Sequence, residues 1–174
     1  MAEIWDIYDS NRIKTGKTIV KGESIAHGEY TAKVMVLVFD GRGNMLIQRR
    51  LPDVGWMPGM WGMTAGGSII SGETPAKAAA RELYEEVGIK IDFTNSHPDF
   101  NITFGDVFID YYLVTMTSDL DLTTLPVPNE EVQAVKWATK EEMLKMIEKG
   151  ECIPYRPSFM EFCFAIATED MLFN

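Results

Sequence analysis

Residues 74–88 constrain the fold more than any other segment, because they combine helix-end signals with an apolar stripe. Thr74 suits the cap of a helix N-terminus, Pro75 suits the first helical position, and Gly88 suits the position just past the end. Small or apolar side chains recur with helical periodicity at Ala76, Ala79, Ala80, Leu83 and Val87. The pattern predicts a helix over 74–87 whose alanine-rich side packs closely against a sheet.

The same helix carries an acidic cluster, Glu82, Glu85 and Glu86, near its C-terminal end. At about 100° per residue, these side chains share a face centred roughly 120° from the apolar stripe. Each exposed pair of like charges costs about 0.2–0.5 kcal/mol, and the negative end of the helix dipole adds to that cost. A solvated acidic face is one interpretation, and a bound cation that offsets the repulsion is the other. The residues around the helix favour the cation.

The remaining sequence predicts a mixture of strands and helices. Alternating or β-branched runs predict strands near 4–8, 17–21, 32–39, 45–50, 100–104, 106–116 and 132–138. Helical periodicity predicts further helices over about 140–149 and about 156–172. Mixed strands with few helices are typical of an α+β fold or an α/β/α sandwich. A length of 174 residues is typical of one domain, so we expect a single domain over 1–174.

Composition narrows the classes of partner. A net charge of −10 repels polyanions, so we expect no nucleic-acid polymer as a partner, and an anionic substrate would need cations to mediate its binding. The longest aliphatic or aromatic run, VMVLVF at 34–39, is far shorter than the roughly 20 residues of a membrane helix. The N-terminus lacks the basic start and apolar core of a signal peptide. We therefore expect a soluble cytoplasmic protein that does not engage a membrane. Cys152 and Cys163 show no spacing typical of a disulfide framework, so we expect both to be buried thiols.

The acidic helix belongs to a longer spaced motif. From Gly67 the chain continues with five residues, Glu73, seven residues and then RELYEEVGI at 81–89. This is the full pattern of the Nudix box, and the chain resembles the Nudix hydrolase family. The resemblance implies a Nudix-type α/β/α sandwich with a mixed central sheet, in which 66–89 form a loop, a helix and a loop. It also implies Mg²⁺- or Mn²⁺-dependent hydrolysis of a nucleoside diphosphate linked to another group.

The resemblance assigns roles to the acidic residues. Glu85 and Glu86 are expected to be metal ligands, and Glu82 is expected to be a ligand or the general base. The backbone carbonyl of Gly66 is a further expected ligand. Hard divalent cations prefer oxygen ligands and retain several waters, and a trio of helical carboxylates supplies such ligands. A diphosphate is attacked by water in line with its leaving group, while metals neutralise its oxygens and a carboxylate takes the proton.

Two more groups of residues complete the expected site. Arg81 and Glu73 match the pair that braces the loop against the helix in the family, so both are expected to be structural, and Arg81 is also counted with the catalytic residues. Many relatives recruit another acid from beyond the box, and here Glu131 is the first candidate and Glu130 the second. Both of these acids also fit the solvated start of a strand.

Arg49, Arg50 and Trp61 are the candidates for substrate binding. The arginines end a strand and could hold a phosphate, although a solvated strand end is equally compatible with the sequence. Trp61 could stack on a base, although packing explains such a residue as well. The expected substrate is a small-molecule diphosphate whose leaving group the box does not specify. The oligomeric state, monomer or homodimer, stays open.

The resemblance extends outward to an isomerase-like subgroup. HGEYTAKVMVLVFDGRGNMLIQRR and PGMWGMTAGG resemble Nudix proteins akin to isopentenyl diphosphate isomerase, which carry an N-terminal hairpin extension, here expected within 1–30. The isomerase relies on a cysteine in the strand leading to the box and on paired histidines for its metal. Here that strand has no cysteine, and the chain has only His27 and His97. These differences disfavour isomerase activity, which is kept as an alternative to hydrolysis. A non-catalytic Nudix-fold nucleotide-binding module is the other alternative.

Overall fold

The computed structural model describes residues 2–116 and 119–168. Within these residues the chain forms nine β-strands: β1 Ile4–Tyr8, β2 Lys14–Val20, β3 Thr31–Phe39, β4 Met45–Arg50, β5 Trp61–Gly62, β6 Ala65–Ser68, β7 Phe100–Phe104, β8 Val107–Thr115 and β9 Val132–Ala138. The same described residues form three α-helices: α1 Pro75–Val87, α2 Lys140–Glu148 and α3 Pro157–Ala167. A short 3-10 turn covers Leu122–Thr124.

The described strands form two sheets. β1 and β2 pair antiparallel into a hairpin, with Ile4 opposite Val20. The other strands form a mixed seven-stranded sheet with the order β5-β4-β3-β8-β7, in which β6 pairs with β3 and β9 pairs with β4. The α+β class and the N-terminal hairpin that the sequence predicted are therefore confirmed.

Hydrophobic periodicity missed β5 and β6, which fall where the family resemblance implies a single strand leading to the box, and it placed some other ends differently. These two strands hold two and four residues, WG and AGGS, so they show no alternation that a pattern could detect. Their positions are set by pairing with β4 and β3, which lie earlier in the chain. β2 begins at Lys14, ahead of the predicted start. The predicted helix over 156–172 corresponds to α3, and its last part, 169–172, lies outside the described residues.

The chain divides into two compact units, each built from three segments. The first unit comprises the chain up to Val36, Gly66–Tyr84 and Lys90–Tyr112. The second unit comprises Leu37–Ala65, Glu85–Ile89 and the chain from Leu113 onward. The boundary falls within four elements, β3, β6, α1 and β8. In α1 it separates Tyr84 from Glu85, two successive residues of one continuous helix. The expected single domain over 1–174 stays a prediction.

In the first unit, the hairpin is attached to the loop that precedes α1. Ser71 donates its N–H to the carbonyl oxygen of Ile4 at 2.8 Å and its hydroxyl to Asp6 at 2.6 Å. The N–H of Gly72 donates to the other carboxylate oxygen of Asp6 at 3.3 Å. Asp6 therefore holds two successive residues of this loop, so the extension contributes to the local structure ahead of the helix.

In the second unit, β4 pairs antiparallel with β9 and supplies part of the core, with Leu46 and Ile47 fully buried. Thr64 is also fully buried and links β4 to β3. Its hydroxyl donates to the carbonyl oxygen of Leu46 at 2.5 Å and accepts the N–H of Val38 at 2.9 Å. This polar side chain is therefore satisfied as both donor and acceptor inside the core.

Cys152 and Cys163 are buried free thiols, as the sequence predicted, and burial raises the pKa of each to about 12. A thiol with so high a pKa is almost entirely protonated at neutral pH, so neither cysteine is activated as a nucleophile. None of the helices within residues 2–116 and 119–168 combines the length and the apolar character needed to cross a membrane.

Candidate active site

The helix α1 begins and ends where the sequence predicted. The hydroxyl of Thr74 accepts the N–H of Lys77 at 3.3 Å, and Pro75 is the first helical residue. Gly88, just past the last turn, has a φ of +74°, a conformation that L side chains rarely adopt. A Cβ on this glycine would also overlap the ring of Pro126. Only glycine fits this position without strain.

The buried side of α1 is wider than the predicted apolar stripe. Leu83 and Val87 are fully buried, as expected. Glu86 is only 3% exposed and so shares this buried side, whereas Glu82 is partly buried and Glu85 is exposed. The expectation that the three glutamates share a face separate from the apolar stripe is therefore wrong for Glu86, which lies on the buried side of the helix. A merely solvated acidic face does not describe them.

Glycines at the start of the box make room for the first carboxylate. A Cβ on Gly67 would overlap the carboxyl group of Glu82. Arg81 donates from Nη1 to Oε1 of Glu82 at 2.7 Å, which holds that carboxylate beside the glycine. A Cβ on Gly66 would overlap the sulfur of Met35 in the same way. Side chains at either glycine position would therefore displace a neighbour.

The predicted brace between Arg81 and Glu73 is present. Arg81 donates from Nε and Nη2 to the two carboxylate oxygens of Glu73 at 2.8 and 2.9 Å, and from Nη2 to the carbonyl oxygen of Ser68 at 3.0 Å. The hydrogen bond to Glu73 is the largest cause of the raised pKa of Arg81. Burial acts to raise the pKa of Glu73, but hydrogen bonds from Arg81 and from the N–H of Ile70 hold it below its ordinary value. Charge-assisted hydrogen bonds thus fix the loop of the box to α1.

Glu86 is held by two residues that the sequence did not single out. Gln48, 6% exposed on β4, donates from Nε2 to Oε2 of Glu86. Asn129 donates from Nδ2 to the backbone carbonyl oxygen of Glu86 at 2.9 Å, and so satisfies one of the last carbonyl groups of α1. The contact between Gln48 and Glu86 had one signal in the sequence, a polar glutamine directly after the apolar run MLI. Nothing in the sequence marked the contact with Asn129.

Glu130 and Glu131 lie on the loop that Asn129 attaches to α1. The side-chain oxygen of Asn129 accepts the N–H groups of Glu131 at 3.0 Å and of Val132 at 2.9 Å. Both glutamates are exposed, so burial does not distinguish between them. The side chain of Asn129 thus fixes the backbone of Glu131 and also contacts α1. A contribution of Glu131 to a metal site stays a prediction.

The acidic side chains do not form a converged metal cluster as they stand. Within residues 2–116 and 119–168, no three His, Cys, Asp or Glu side chains form a group that could hold a metal ion. Arg81 binds the carboxylate of Glu82, and Gln48 binds that of Glu86. The donor set still fits a hard cation, because Mg²⁺ prefers carboxylate and carbonyl oxygens and Gly67 leaves space at one carboxylate. The metal-ligand assignment therefore stays a prediction.

Arg49 and Trp61 lie together, and Arg50 lies apart from them. Arg49 and Trp61 are opposite each other in the pairing of β4 with β5, and both line an open cleft of about 450 Å³. The ammonium group of Lys136 lies 4.8 Å from the centre of the Trp61 ring, within range of a cation–π contact. Both arginines donate from Nε to carbonyl oxygens of the loop before β5, Arg49 to that of Gly59 at 3.0 Å and Arg50 to that of Trp56 at 2.8 Å. Because successive side chains of a strand point to opposite faces, Arg49 and Gln48 lie on different faces of β4.

Comparison with known proteins identifies the family to which this arrangement belongs. The NUDIX domain model matches residues 29–156. The chain belongs to the Nudix family. An uncharacterized Nudix hydrolase of Listeria monocytogenes is 40% identical over 153 residues, which are 88% of this chain and 89% of that protein. A crystal structure of a Deinococcus radiodurans protein shares the fold, with a TM-score of 0.75 and 23% identity, covering 92% of this chain and 99% of that one.

This Nudix protein is a pyrophosphohydrolase, because Nudix hydrolases as a family cleave pyrophosphate bonds. Members of the family generally use divalent metal ions. An isomerase also resembles part of the chain. The isopentenyl-diphosphate Delta-isomerase of Streptomyces coelicolor is 33% identical over 88 residues, which are 51% of this chain and 45% of that protein. Both resemblances that the sequence showed are thus confirmed, and the hydrolase of Listeria monocytogenes matches more of the chain than this isomerase does.

Proposed function

We propose that this Nudix protein uses Mg²⁺ or Mn²⁺ to hydrolyse a diphosphate linkage in a nucleoside diphosphate joined to another group, by in-line attack of water on phosphorus. The arrangement of the three glutamates along α1 is the observation that supports this proposal best. The space at Gly67 receives Glu82. Gln48 holds Glu86, and Glu85 is exposed. Three carboxylates grouped at the negative end of a helix repel one another, and a bound cation would offset that repulsion.

Five residues are proposed to hold the cation: the carbonyl group of Gly66 and the carboxylates of Glu82, Glu85, Glu86 and Glu131. The chemistry that a bound divalent ion supplies is neutralisation and orientation of the diphosphate oxygens. The net charge of −10 makes neutralisation important, because an anionic substrate is otherwise repelled by the protein as a whole.

The residues of the box are proposed to position the base that activates water. Arg81 holds the carboxylate of Glu82 through Nη1, and Glu73 holds Arg81 in turn. Glu82 is thereby kept in a defined position, from which it serves either as the acceptor of the water's proton or as a ligand. Limited motion of this carboxylate favours the reaction, because misplacement by about 1 Å can cost about 100-fold in rate.

Arg49 and Trp61 are proposed to bind the part of the substrate that does not react. A guanidinium group binds phosphate oxygens, and an indole ring stacks on a planar base. The two residues lie on the face of β4 opposite Gln48, away from the contact with Glu86. Arg50 is the weaker candidate, because it does not line the cleft that Arg49 and Trp61 share, and its guanidinium group lies 5.7 Å from the ring of Trp56.

A panel of diphosphates tests the proposed function. Nucleoside di- and triphosphates, nucleotide sugars, dinucleotides and non-nucleotide diphosphates are each incubated with Mg²⁺ while release of nucleotide, phosphate or pyrophosphate is measured. We expect hydrolysis of at least one nucleoside diphosphate derivative, loss of turnover in EDTA, and transfer of oxygen from isotopically labelled water to a phosphorus of the product. Absence of metal-dependent hydrolysis across the panel would contradict the proposal.

Isopentenyl diphosphate in the same panel distinguishes hydrolysis from isomerisation. The strand leading to the box, MWGMTAGG, has no cysteine, and both cysteines of the chain are buried elsewhere. We therefore expect no dimethylallyl product. Formation of that product at a rate that rivals the best hydrolysis would reverse the ranking of the two activities.

A further inference from the structure

Gln48 is a buried polar residue whose hydrogen bonds are incomplete. It is 6% exposed and follows the fully buried Ile47 on β4. Its Nε2 donates to Oε2 of Glu86, whereas Oε1 accepts no hydrogen bond from any group within residues 2–116 and 119–168. A buried acceptor without a donor is uncommon in folded proteins, and it requires a specific explanation.

The orientation of this amide follows from charge. If the amide were turned over, its oxygen would face the carboxylate of Glu86, and two acceptors would repel each other. The amide nitrogen therefore faces Glu86, and Oε1 is the atom left without a donor. Thr64, another buried polar residue of the same unit, is satisfied as both donor and acceptor. Among the described residues, one other buried side-chain atom, Oδ1 of Asp110 in the first unit, also accepts no hydrogen bond, so within the second unit the unsatisfied acceptor belongs to Gln48.

We infer that Gln48 is a positioning residue for the metal site. Its N–H group fixes one carboxylate oxygen of Glu86, and its carbonyl oxygen accepts a hydrogen bond from a water molecule in the hydration shell of the divalent cation. The inference rests on the proposed function, because Glu86 is a ligand only in that proposal. Mg²⁺ and similar ions keep several waters when they bind to proteins, so the missing donor would arrive with the ion.

Binding of Mn²⁺ to the substrate-free protein tests the inference without measuring turnover. Gln48→Met keeps approximately the length and volume of the side chain and removes both the donor and the acceptor. We expect it to weaken Mn²⁺ binding, measured by electron paramagnetic resonance, by about 10-fold or more, since residues that orient metal ligands typically contribute about 10–100-fold to affinity.

Thr64→Val is the matched control. It removes hydrogen bonds from a buried residue of the same unit. The hydroxyl of Thr64 bonds to the backbone of Val38 and Leu46 and not to Glu86. We expect this variant to melt at a lower temperature and to bind Mn²⁺ within about threefold of the parent, because sites without shared partners act independently. A general loss of core stability would affect both variants, whereas a positioning role affects the metal affinity of the Gln48 variant alone.

Gln48→Asn keeps the test decisive if Gln48→Met does not fold. Asparagine retains the amide but withdraws it by one methylene group, so the contact with Glu86 is lost with little change in polarity. It too should weaken Mn²⁺ binding. Parent-like Mn²⁺ affinity in a folded Gln48 variant would overturn the inference and leave the proposed function standing. Failure of the parent to bind Mn²⁺, together with no hydrolysis in the diphosphate panel, would overturn both.

Discussion

At the scale of single residues, Gly67 shows how a missing side chain can determine the position of a carboxylate. The volume that a Cβ would fill is taken by the carboxyl group of Glu82, and Arg81 holds that group there. The glycine is needed for space and not for backbone strain, since its φ lies outside the left-handed region. The rate of hydrolysis should therefore be sensitive to one methyl group at this position.

Gly67→Ala should lower the rate of diphosphate hydrolysis by about 10- to 100-fold, because a carboxylate displaced by about 1 Å is enough to cause such a loss. Gly55→Ala is the control, since a Cβ there would meet no atom within 4 Å and the backbone conformation is ordinary. Initial rates of both variants on the best substrate provide the measurement. If Gly67→Ala were as active as Gly55→Ala, the position of the Glu82 carboxylate would not matter for the reaction.

Residues of the box could be predicted from the sequence, whereas their partners from other segments could not. Arg81 and Glu73 are close in the chain, so a motif records both. Gln48 is 38 residues from Glu86, and Asn129 is 43 residues from it. Contacts over such separations depend on which strand and which loop pack beside α1, and a single sequence does not specify that packing.

At the scale of elements, the loop before α1 is held from two sides. Asp6 of the hairpin binds Ser71 and Gly72, and Arg81 of the helix binds Glu73. The hairpin is therefore more than an extension beside the box, because it fixes the loop that leads into α1. The contribution of the Arg81–Glu73 brace should appear in the pH dependence of stability.

Glu73→Gln should lower the free energy of unfolding at neutral pH by about 1.5–3 kcal/mol, the contribution expected from hydrogen bonds to a charged group. The pKa of Glu73 is lowered in the folded chain from about 4.5, so its stabilising contribution is complete above that pH and is lost as the pH falls through the folded value. Urea unfolding should therefore give free energies of unfolding for parent and variant that converge as the pH falls below the lowered pKa of Glu73. Glu141→Gln, at an exposed position on α2, should change little at any pH.

A constant difference between parent and Glu73→Gln from neutral to acidic pH would contradict this account. The ionised brace would then contribute nothing to stability, and the loss would have to come from packing of the side chain alone.

The end of α1 gives a second element-scale prediction. Gly88→Ala should cost more stability than Gly105→Ala, although both glycines have a positive φ, +74° and +61°. A Cβ at Gly105 meets no atom within 4 Å and should cost about 1–2 kcal/mol from backbone conformation alone. At Gly88 the ring of Pro126 adds a steric overlap, so the loss should be greater. Equal losses in urea unfolding would mean that Pro126 moves without cost.

At the scale of the whole molecule, the net charge of −10 means that any cation stabilises the protein to some extent by screening. A specific magnesium site must therefore be separated from this general effect. A site with a dissociation constant of about 1 mM, at about 10 mM Mg²⁺, contributes roughly 1.4 kcal/mol, or about 3–5 °C in Tm for a chain of this size. Glu85→Gln should lose most of this shift and keep the shift caused by screening.

Melting curves of the parent and Glu85→Gln in Mg²⁺ and in NaCl of equal ionic strength give the comparison. If Mg²⁺ raised the Tm of both proteins equally, its effect would be screening, and the exposed carboxylate of Glu85 would not be a ligand.

Turnover of Glu85→Gln on the best diphosphate substrate tests most directly the claim that the glutamates of α1 form the catalytic metal site. The change keeps the size of an exposed side chain and removes one ligand charge, so the fold should be retained. Glu161→Gln, an exposed glutamate of α3, is the matched control. We predict that Glu85→Gln lowers kcat by more than about 100-fold, because even residues that only support a metal ligand typically contribute about 10–100-fold. Activity of Glu85→Gln within about tenfold of both the parent and Glu161→Gln would contradict the metal-ligand assignment.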